Sequence, residues 1–405
     1  MGLVLAWVLR RQRWVGTLLA AATLGAHGAP AAAALGARPH PTWMTNGPVR
    51  AMARSGNVLW IGGQFSQLRE KPPGQGGRVI AVSNLAALDA RSGRPIAGLS
   101  LPAVTGPNAI VYALRVARGQ LYVGGLFDSV AGARRTNLAR VDAASGRLDA
   151  TFHPVIGTVW SLASDGSRLY VGGGFLRVDG QTRTRLAAFD LPAGTLDSGW
   201  RPAADDRVRD LALDVRAGAL FAVGNFKHVA GPDGVWQARN SVARIALTAG
   251  KVAPWVAGCP CSTSLDGLGV AVGGTRVYVG MGGSDWVAAY SVASGRQIWR
   301  TDTNGQAQDV AIMGERLIVG GHFTLAAPTS GVSYDCYHHP SDCVSRIRLA
   351  AFSLDGVLDG GWAPPMTGAY PGVWHLLVYG TRLWAGGAFT HASGVDQERL
   401  ALFAG

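Results

Sequence analysis

Residues 169–202 read LYVGGGFLRVDGQTRTRLAAFDLPAGTLDSGWRP, and nearly everything after residue 40 is a variation on this stretch. Its parts are an apolar strand ending in Gly-Gly-x-Phe, a polar loop and an Arg-Leu-Ala-Ala-Phe-Asp strand, followed by a Gly-containing turn and a Trp-x-Pro close. A unit that recurs at a fixed spacing of tens of residues signals a stacked or radial architecture. Further copies of the first strand are LWIGGQF at 59–65, LYVGGLF at 121–127, LFAVGNF at 220–226, VYVGMGG at 277–283, LIVGGHF at 317–323 and LWAGGAF at 383–389. Copies four and five are degenerate: Val223 and Asn225 stand at two Gly-rich positions, and the fifth lacks the Phe. From Phe65 to Phe389 the mean step is 54 residues over six steps, enough for four short strands and their turns.

Each copy carries four strand signals. Strand A alternates apolar residues such as Val159 and Leu162, strand B is the Gly-Gly-x-Phe strand, and strand C is Asn-Leu-Ala-Arg-Val-Asp at 137–142 or its equivalent. Strand D follows a Ser-Gly or Ala-Gly turn and ends near Phe152, Trp200, Trp255, Trp299 or Trp362. Seven such units predict an all-β, seven-bladed β-propeller with four antiparallel strands per blade. Paired glycines let neighbouring sheets approach closely. The seventh copy stops after its third strand, RLALF at 399–403, whereas PTWM at 41–44 matches a fourth strand. The N-terminal strand is therefore expected to close the last blade, which removes a long unpaired edge.

LYVGGGF, RTRLAAFD, AGTLD and GWRP resemble the secreted bacterial β-propeller repeat family often called delta-sixty repeats, over about residues 41–405. The resemblance implies the fold and carries over no catalytic residue, since that family is largely without an assigned activity.

The first 38 residues differ from the rest. Arg10, Arg11 and Arg13 precede an apolar stretch at 14–26, and an Ala-rich segment with small-residue cleavage options at 28–34 follows. That is the order of a secretory signal peptide, so residues 1–38 are expected to be leader and 39–405 the propeller; the alternative is an uncleaved membrane anchor, for which the apolar stretch is short. A secreted, extracellular monomer follows, with no membrane span after the signal. Removing the leader takes away four Arg and leaves 33 basic against 25 acidic residues, a net charge of +8. Only Lys71, Lys227 and Lys251 are lysines. An Arg-rich secreted protein can meet acidic polysaccharide or another anionic surface. The competing reading is that Arg serves the repeat itself, at fixed positions such as Arg185, Arg348 and Arg399.

Four cysteines stand at Cys259, Cys261, Cys336 and Cys343. Export favours disulfides over a thiolate metal site, with Cys336–Cys343 as a readily closed local pair, Cys259–Cys261 a very small ring and cross-pairing between the two segments the other option; the sequence does not choose among the three connectivities. Asp142, Gly146 and Asp149, like Asp190, Gly194 and Asp197, read as hairpin turns rather than a calcium loop.

The candidate site lies at the start of strand A. Two residues before the buried Leu162 position the copies carry Arg50, Tyr112, Trp160, Arg209, Leu268, Gln308 and Trp374. One residue before it they carry Ala51, Ala113, Ser161, Asp210, Gly269, Asp309 and His375. Strand A of a propeller is innermost, so these positions ring the channel mouth, and they vary where neighbouring positions repeat. Arg50, Tyr112, Trp160, Arg209, Asp210, Gln308, Asp309, Trp374 and His375 combine stacking faces, bidentate donors and acceptors suited to a sugar or anionic ligand. The competing role is packing between blades or Arg–Asp pairing. Function is thus expected to be binding, through the mouth and the long loops at 66–83, 227–240 and 324–347, of a glycan, anionic polymer or protein partner. The alternative is an enzyme on the same fold, a quinone-cofactor dehydrogenase or a carbohydrate-active lyase or hydrolase. Residues 288–299 resemble a quinoprotein repeat, yet no paired-carboxylate or Ser-His-Asp pattern stands out. No cofactor, catalytic residue or metal is expected, and scattered Arg makes no nucleic-acid stripe.

Overall fold

The alternating strands of each copy pair with their immediate neighbours, so every copy becomes one small antiparallel sheet. A computed structural model of the chain describes residues 35–258, 266–331, 334–368 and 372–405. Among the described residues seven sheets run in the order A, B, C. The third is Val159–Ser164, Arg168–Gly173 and Leu186–Asp190, and the seventh is Val373–Tyr379, Arg382–Gly387 and Leu400–Ala404. Each strand A packs against strand A of the next copy, and Val373–Tyr379 packs against Val49–Ser55 of the first. The arrangement is all-β and propeller-like. No helix among the described residues is long and apolar enough to cross a membrane.

The glycine pairs have separate tasks. A Cβ on the first glycine would lie 2.4 Å from Val111 Cγ1 at Gly62, 2.5 Å from Val159 Cγ1 at Gly124 and 2.8 Å from Val49 Cγ1 at Gly386. In each case the valine belongs to the next copy, and the last contact joins copy seven to copy one. A Cβ on the second glycine would instead strike its own sheet, 2.0 Å from the Pro48 carbonyl oxygen at Gly63 and 2.0 Å from that of Gln306 at Gly321. Copy four inverts the first contact. Val223 fills the glycine position, and the facing residue of copy five is Gly267, whose Cβ would lie 2.7 Å from Val223 Cβ.

Just before strand C the backbone is left-handed in all seven copies, with φ of 63° at Asn84, 65° at Asn137, 70° at Arg185, 65° at Ser241, 49° at Asp285, 66° at Arg348 and 65° at Arg399. Side chains at this position staple the turn. Asn84 and Asn137 donate to the carbonyls of Val104 and Ile156, Arg348 to that of Met366, and Arg185 and Arg399 to those of Gly174 and Phe389. Two residues earlier, Arg135, Arg183, Arg239 and Arg346 donate to the carbonyls of Asp149, Asp197, Ala253 and Asp359. The recurrent arginines therefore serve the repeat.

Strand D is shorter than its sequence signal. It forms a ladder in copies three and five, as Thr195–Leu196 and Gln297–Asp302, and single bridges such as Val141–Leu148, Ile245–Val252 and Phe352–Leu358 elsewhere. The Asp that ends the motif bends the chain away. Asp149 accepts from the Thr151 amide, Asp197 from those of Gly199 and Trp200, and Asp359 from that of Gly361. The following Trp then reaches the next copy, Trp200 Nε1 donating to the Ala246 carbonyl and Trp255 Nε1 to that of Ser291. At the N-terminal end, the His40 amide donates to Leu402 O (2.8 Å), the Gly36 amide to Ala404 O (3.2 Å), and Trp362 Nε1 to Gly36 O. Leu35, Trp43 and Met44 are buried. The N-terminal segment thus lies beside the last strand of the seventh sheet over residues 36–40, upstream of the expected 41–44, and Met44–Thr45 pairs instead with Gln67–Arg69.

A second tier of small sheets crowns the face where strand A begins. Met44–Thr45 pairs with Gln67–Arg69, which pairs with Val79–Ala81, and Ala203–Ala204, His228–Ala230 and Trp236–Ala238 repeat the pattern. The long loops at 66–83 and 227–240 belong to this tier, as do Leu325–Ala326 and Val344–Ser345, the paired ends of the third. Copy five has no such hairpin, its strands B and C being joined by a tight turn through Gly283 and Asp285. Beside that gap stands the Cys336–Cys343 disulfide, and Cys336, Tyr337 and Asp285 help to wall a surface cavity of about 480 Å³. Cys259 and Cys261 lie outside the described residues.

Candidate functional site

Strand A carries the same irregularity in every copy. Its ladder to strand B slips by one residue between Val49 and Ala51, Val111 and Ala113, Val159 and Ser161, Val208 and Asp210, Gly267 and Gly269, Ala307 and Asp309, and Val373 and His375. The residue skipped each time is Arg50, Tyr112, Trp160, Arg209, Leu268, Gln308 or Trp374. A bulged residue leaves the ladder and has its side chain re-aimed. All seven line one cavity of about 120 Å³, together with Ser161, Leu162, Asp210, Asp309, His375 and their neighbours. The nine residues singled out from the sequence therefore converge on one place.

The rim is a chain of stacked rings and guanidinium groups. The Arg50 guanidinium lies 3.9 Å from the Trp374 ring centre and 5.7 Å from that of Tyr112. Tyr112 stacks on Trp160 at 4.5 Å with planes 15° apart, and Arg209 lies 4.4 Å from the Trp160 ring. The aromatic faces thus engage one another and the arginines. Arg209 Nε donates to Asn225 Oδ1 (3.0 Å), and Trp374 Nε1 donates to His322 Nε2 (2.9 Å). Gln308 donates to Gln306 Oε1 (2.6 Å). Asn225 and His322 were not singled out from the sequence. Both occupy the x of Gly-Gly-x-Phe, the one variable position inside an otherwise repeated motif, and that variability was the signal available.

Beneath the rim the polar groups are tied to the main chain. Asp210 Oδ1 accepts from Ser161 Oγ (2.9 Å) and the Leu211 amide (2.8 Å), while Oδ2 accepts from the Val270 amide of copy five (3.0 Å). Asp309 Oδ1 accepts from the Val310 amide (2.8 Å). Its Oδ2 accepts from the Leu376 amide of copy seven (2.7 Å) and pairs with His375 Nδ1 (3.1 Å). His375 Nε2 approaches the Met52 carbonyl at 3.2 Å. Each carboxylate thereby fastens its own strand A to the next one.

Burial pushes the Asp210 carboxyl up to about 6, and the charge of Asp309 adds to this. Burial by itself would pull His375 down, but the hydrogen bond and charge of Asp309 outweigh it and raise the imidazole. The Arg50 and Arg209 guanidinium groups are both lowered, chiefly by burial. Burial, then Arg348 and Arg50, lowers His322, which suits an imidazole that accepts from Trp374. No group of three or more metal-ligating side chains stands together among the described residues.

Residues 119–152 match a family model described as a domain of unknown function (DUF5122) beta-propeller, and residues 229–327 match one described as outer membrane protein assembly factor BamB. No curated protein matches the chain. Among solved structures, the computationally designed Ika8 protein aligns with a TM-score of 0.51 at 11% identity, over 91% of this chain and all (100%) of that one. The WD40 beta propeller domain of Doa1 aligns with a TM-score of 0.55 at 9% identity, over 90% of this chain and 96% of that one. Identities this low speak to fold alone, and together with the two family models they make the chain a β-propeller protein.

Proposed function

We propose that this chain is a secreted, monomeric, seven-bladed propeller of the delta-sixty type, closed by its N-terminal segment, that acts as a binding module. Its ligand, a sugar or anionic group of the cell envelope or medium, sits at the channel mouth. The observation that carries the reading is the coincidence of seven bulges with seven chemically diverse side chains around one cavity. A bulge repeated only for packing has no need of Arg, Tyr, Trp, Leu and Gln at equivalent positions. Removal of the leader within 28–34 suits this reading, because Leu35 and Gly36 take part in the contacts beside Leu400–Ala404.

The test is a glycan-array and anion screen of the purified protein, repeated with Trp160→Ala and Arg209→Ala. Each substitution should weaken a mouth ligand by ~1–3 kcal/mol, the scale of one stacking or charge-assisted contact. A bound ligand whose affinity ignores both substitutions would overturn the site. The enzyme alternative retains one supporting observation, the match at 229–327, which spans the quinoprotein-like copy five. A cavity of about 120 Å³ does not fit a quinone cofactor at the mouth, because cofactor and drug-sized pockets run to roughly 300–1,000 Å³.

A further inference from the structure

Resting on the mouth as the binding site, we propose that its ligand is a compact oxyanion, a carboxylate, phosphate or sulfate group, held by the Arg50 guanidinium with Arg209 supplying a second charge.

Arg50 differs from the other arginines that line or brace the propeller. Arg135, Arg183, Arg239 and Arg346 each donate to carbonyl oxygens, and Arg140, Arg168 and Arg300 pair with carboxylates. The Nε of Arg50 is buried without a partner, as are those of Arg135, Arg183, Arg239 and Arg346, but those four use their terminal nitrogens, whereas Arg50 meets no hydrogen-bond acceptor among the described residues. It is held in place by rings instead, against Trp374 and Tyr112. A half-buried guanidinium fixed by stacking, with its donor fork unused, is pre-organised for a planar or tetrahedral oxyanion. Arg209 repeats the theme, spending Nε on Asn225 while its plane lies against Trp160.

The acids of the cavity do not complete these pairs. Asp210 and Asp309 are committed to main-chain amides of two strands each, and Asp309 also holds His375. Asp266 reaches Arg209 only through Asn225, which donates to its carboxylate, so the rim at Arg50 is cationic above a floor whose carboxylates are already engaged. Size narrows the ligand further. A space of about 120 Å³ is well below the ~300–1,000 Å³ of pockets that engulf a drug-sized ligand. It admits the charged end of a larger molecule, or a free anion.

The experiment is calorimetric titration of the full chain, at constant ionic strength in chloride, with inorganic phosphate, sulfate, glucuronate and glucose. It is repeated with Arg50→Gln, with Arg50→Lys, and with Arg94→Gln as an exposed control away from the mouth. Saturable one-to-one binding of at least one anion is expected, weakened tenfold or more by Arg50→Gln, weakened less by Arg50→Lys, and unchanged by Arg94→Gln. The unliganded Arg50→Gln protein should melt no lower than the parent, since the substitution removes an unpaired buried donor, and this distinguishes lost recognition from lost fold. Glucose binding that depends on Trp160 while no anion binds would overturn the oxyanion and leave the mouth as a binding site. Anion binding indifferent to Arg50 would overturn the oxyanion at this place. Absence of binding by all three anions would overturn it as well.

Discussion

The exchange of glycine and valine between copies four and five makes the closest test of how neighbouring sheets pack. At most junctions a glycine of strand B faces a valine of the next strand A, and at Val223 and Gly267 the order is reversed. Gly124→Val should force a methine carbon to within 2.5 Å of Val159 Cγ1, where real contacts do not occur. Over-packing of this kind costs about 2 kcal/mol. Val159→Gly removes three buried carbons at ~0.8 kcal/mol each and adds glycine's backbone entropy, together about 3 kcal/mol. The double substitution recreates the arrangement of Val223 and Gly267, restores the buried volume and leaves the number of glycines unchanged, so that only imperfect packing remains, about 2 kcal/mol. Relative to additivity, about 3 kcal/mol should be recovered, the upper end of coupling between residues in contact. Urea unfolding followed by tryptophan fluorescence, on the parent, both singles and the double, measures this cycle. A coupling smaller than ~0.5 kcal/mol would mean that the two positions do not pack as one unit, and the reasoning about glycine pairs would be wrong.

Deleting residues 35–45 from the full chain should lower the thermal midpoint clearly, because Leu35, Trp43 and Met44 leave the interior and Leu402 loses its partner His40; an unchanged midpoint would sink the closure of the last sheet. Peptide mapping without reductant should recover Cys336 and Cys343 in one linked fragment, and free thiols at these positions would contradict the bridge. Stability should fall as pH rises from about 4 to 7. Asp210 is raised to about 6 from 3.8, chiefly by burial and then by Asp309, so its contribution is complete below the unfolded value and lost as pH climbs through the folded one. His375, raised by Asp309, acts in the same direction. Calorimetry across that range should show the decline, with a shallower slope for Asp210→Asn; a midpoint that rises with pH would refute the assignment.

Much of this fold was legible because its signals are local and repeated. The left-handed position before strand C announced itself as Arg185, Arg348 and Arg399 in equivalent places, and Asn84 and Asn137 do the same work with a shorter side chain. The bulge went unread: Val159 and Leu162 read as simple alternation, although they stand three apart in a strand whose period should be two. The length of strand D was only partly legible. Asp149, Asp197 and Asp359 read as ends of a turn motif, but that they pull the chain off the sheet depends on which amides they capture. The crown of small sheets escaped the sequence reading because its strands are two or three residues long and pair across the chain, as Met366–Thr367 does with His391–Ala392. Such pieces have no periodicity to detect.

Chemistry at the mouth was legible in position and not in state. The variable ring picked out residues that line one cavity, yet Trp160 and Trp374 looked like open stacking faces, whereas Tyr112 and the two arginines engage them. The same limit applies to charge. Arg183 and Arg50 are alike as letters, and each side chain is largely removed from solvent. Arg183 has two carbonyl oxygens in reach, whereas Arg50 has two aromatic rings and no acceptor among the described residues. An arginine whose terminal nitrogens already meet carbonyl oxygens is finished as a structural part, even where its Nε stays unpaired, as in Arg183. One that is half-buried with no acceptor in reach gains from whatever oxyanion reaches it, because part of the cost of desolvating its donors has already been met in folding. The difference lies in the backbone that surrounds each side chain, which is why the repeat arginines could be assigned from their spacing and the mouth arginines could not.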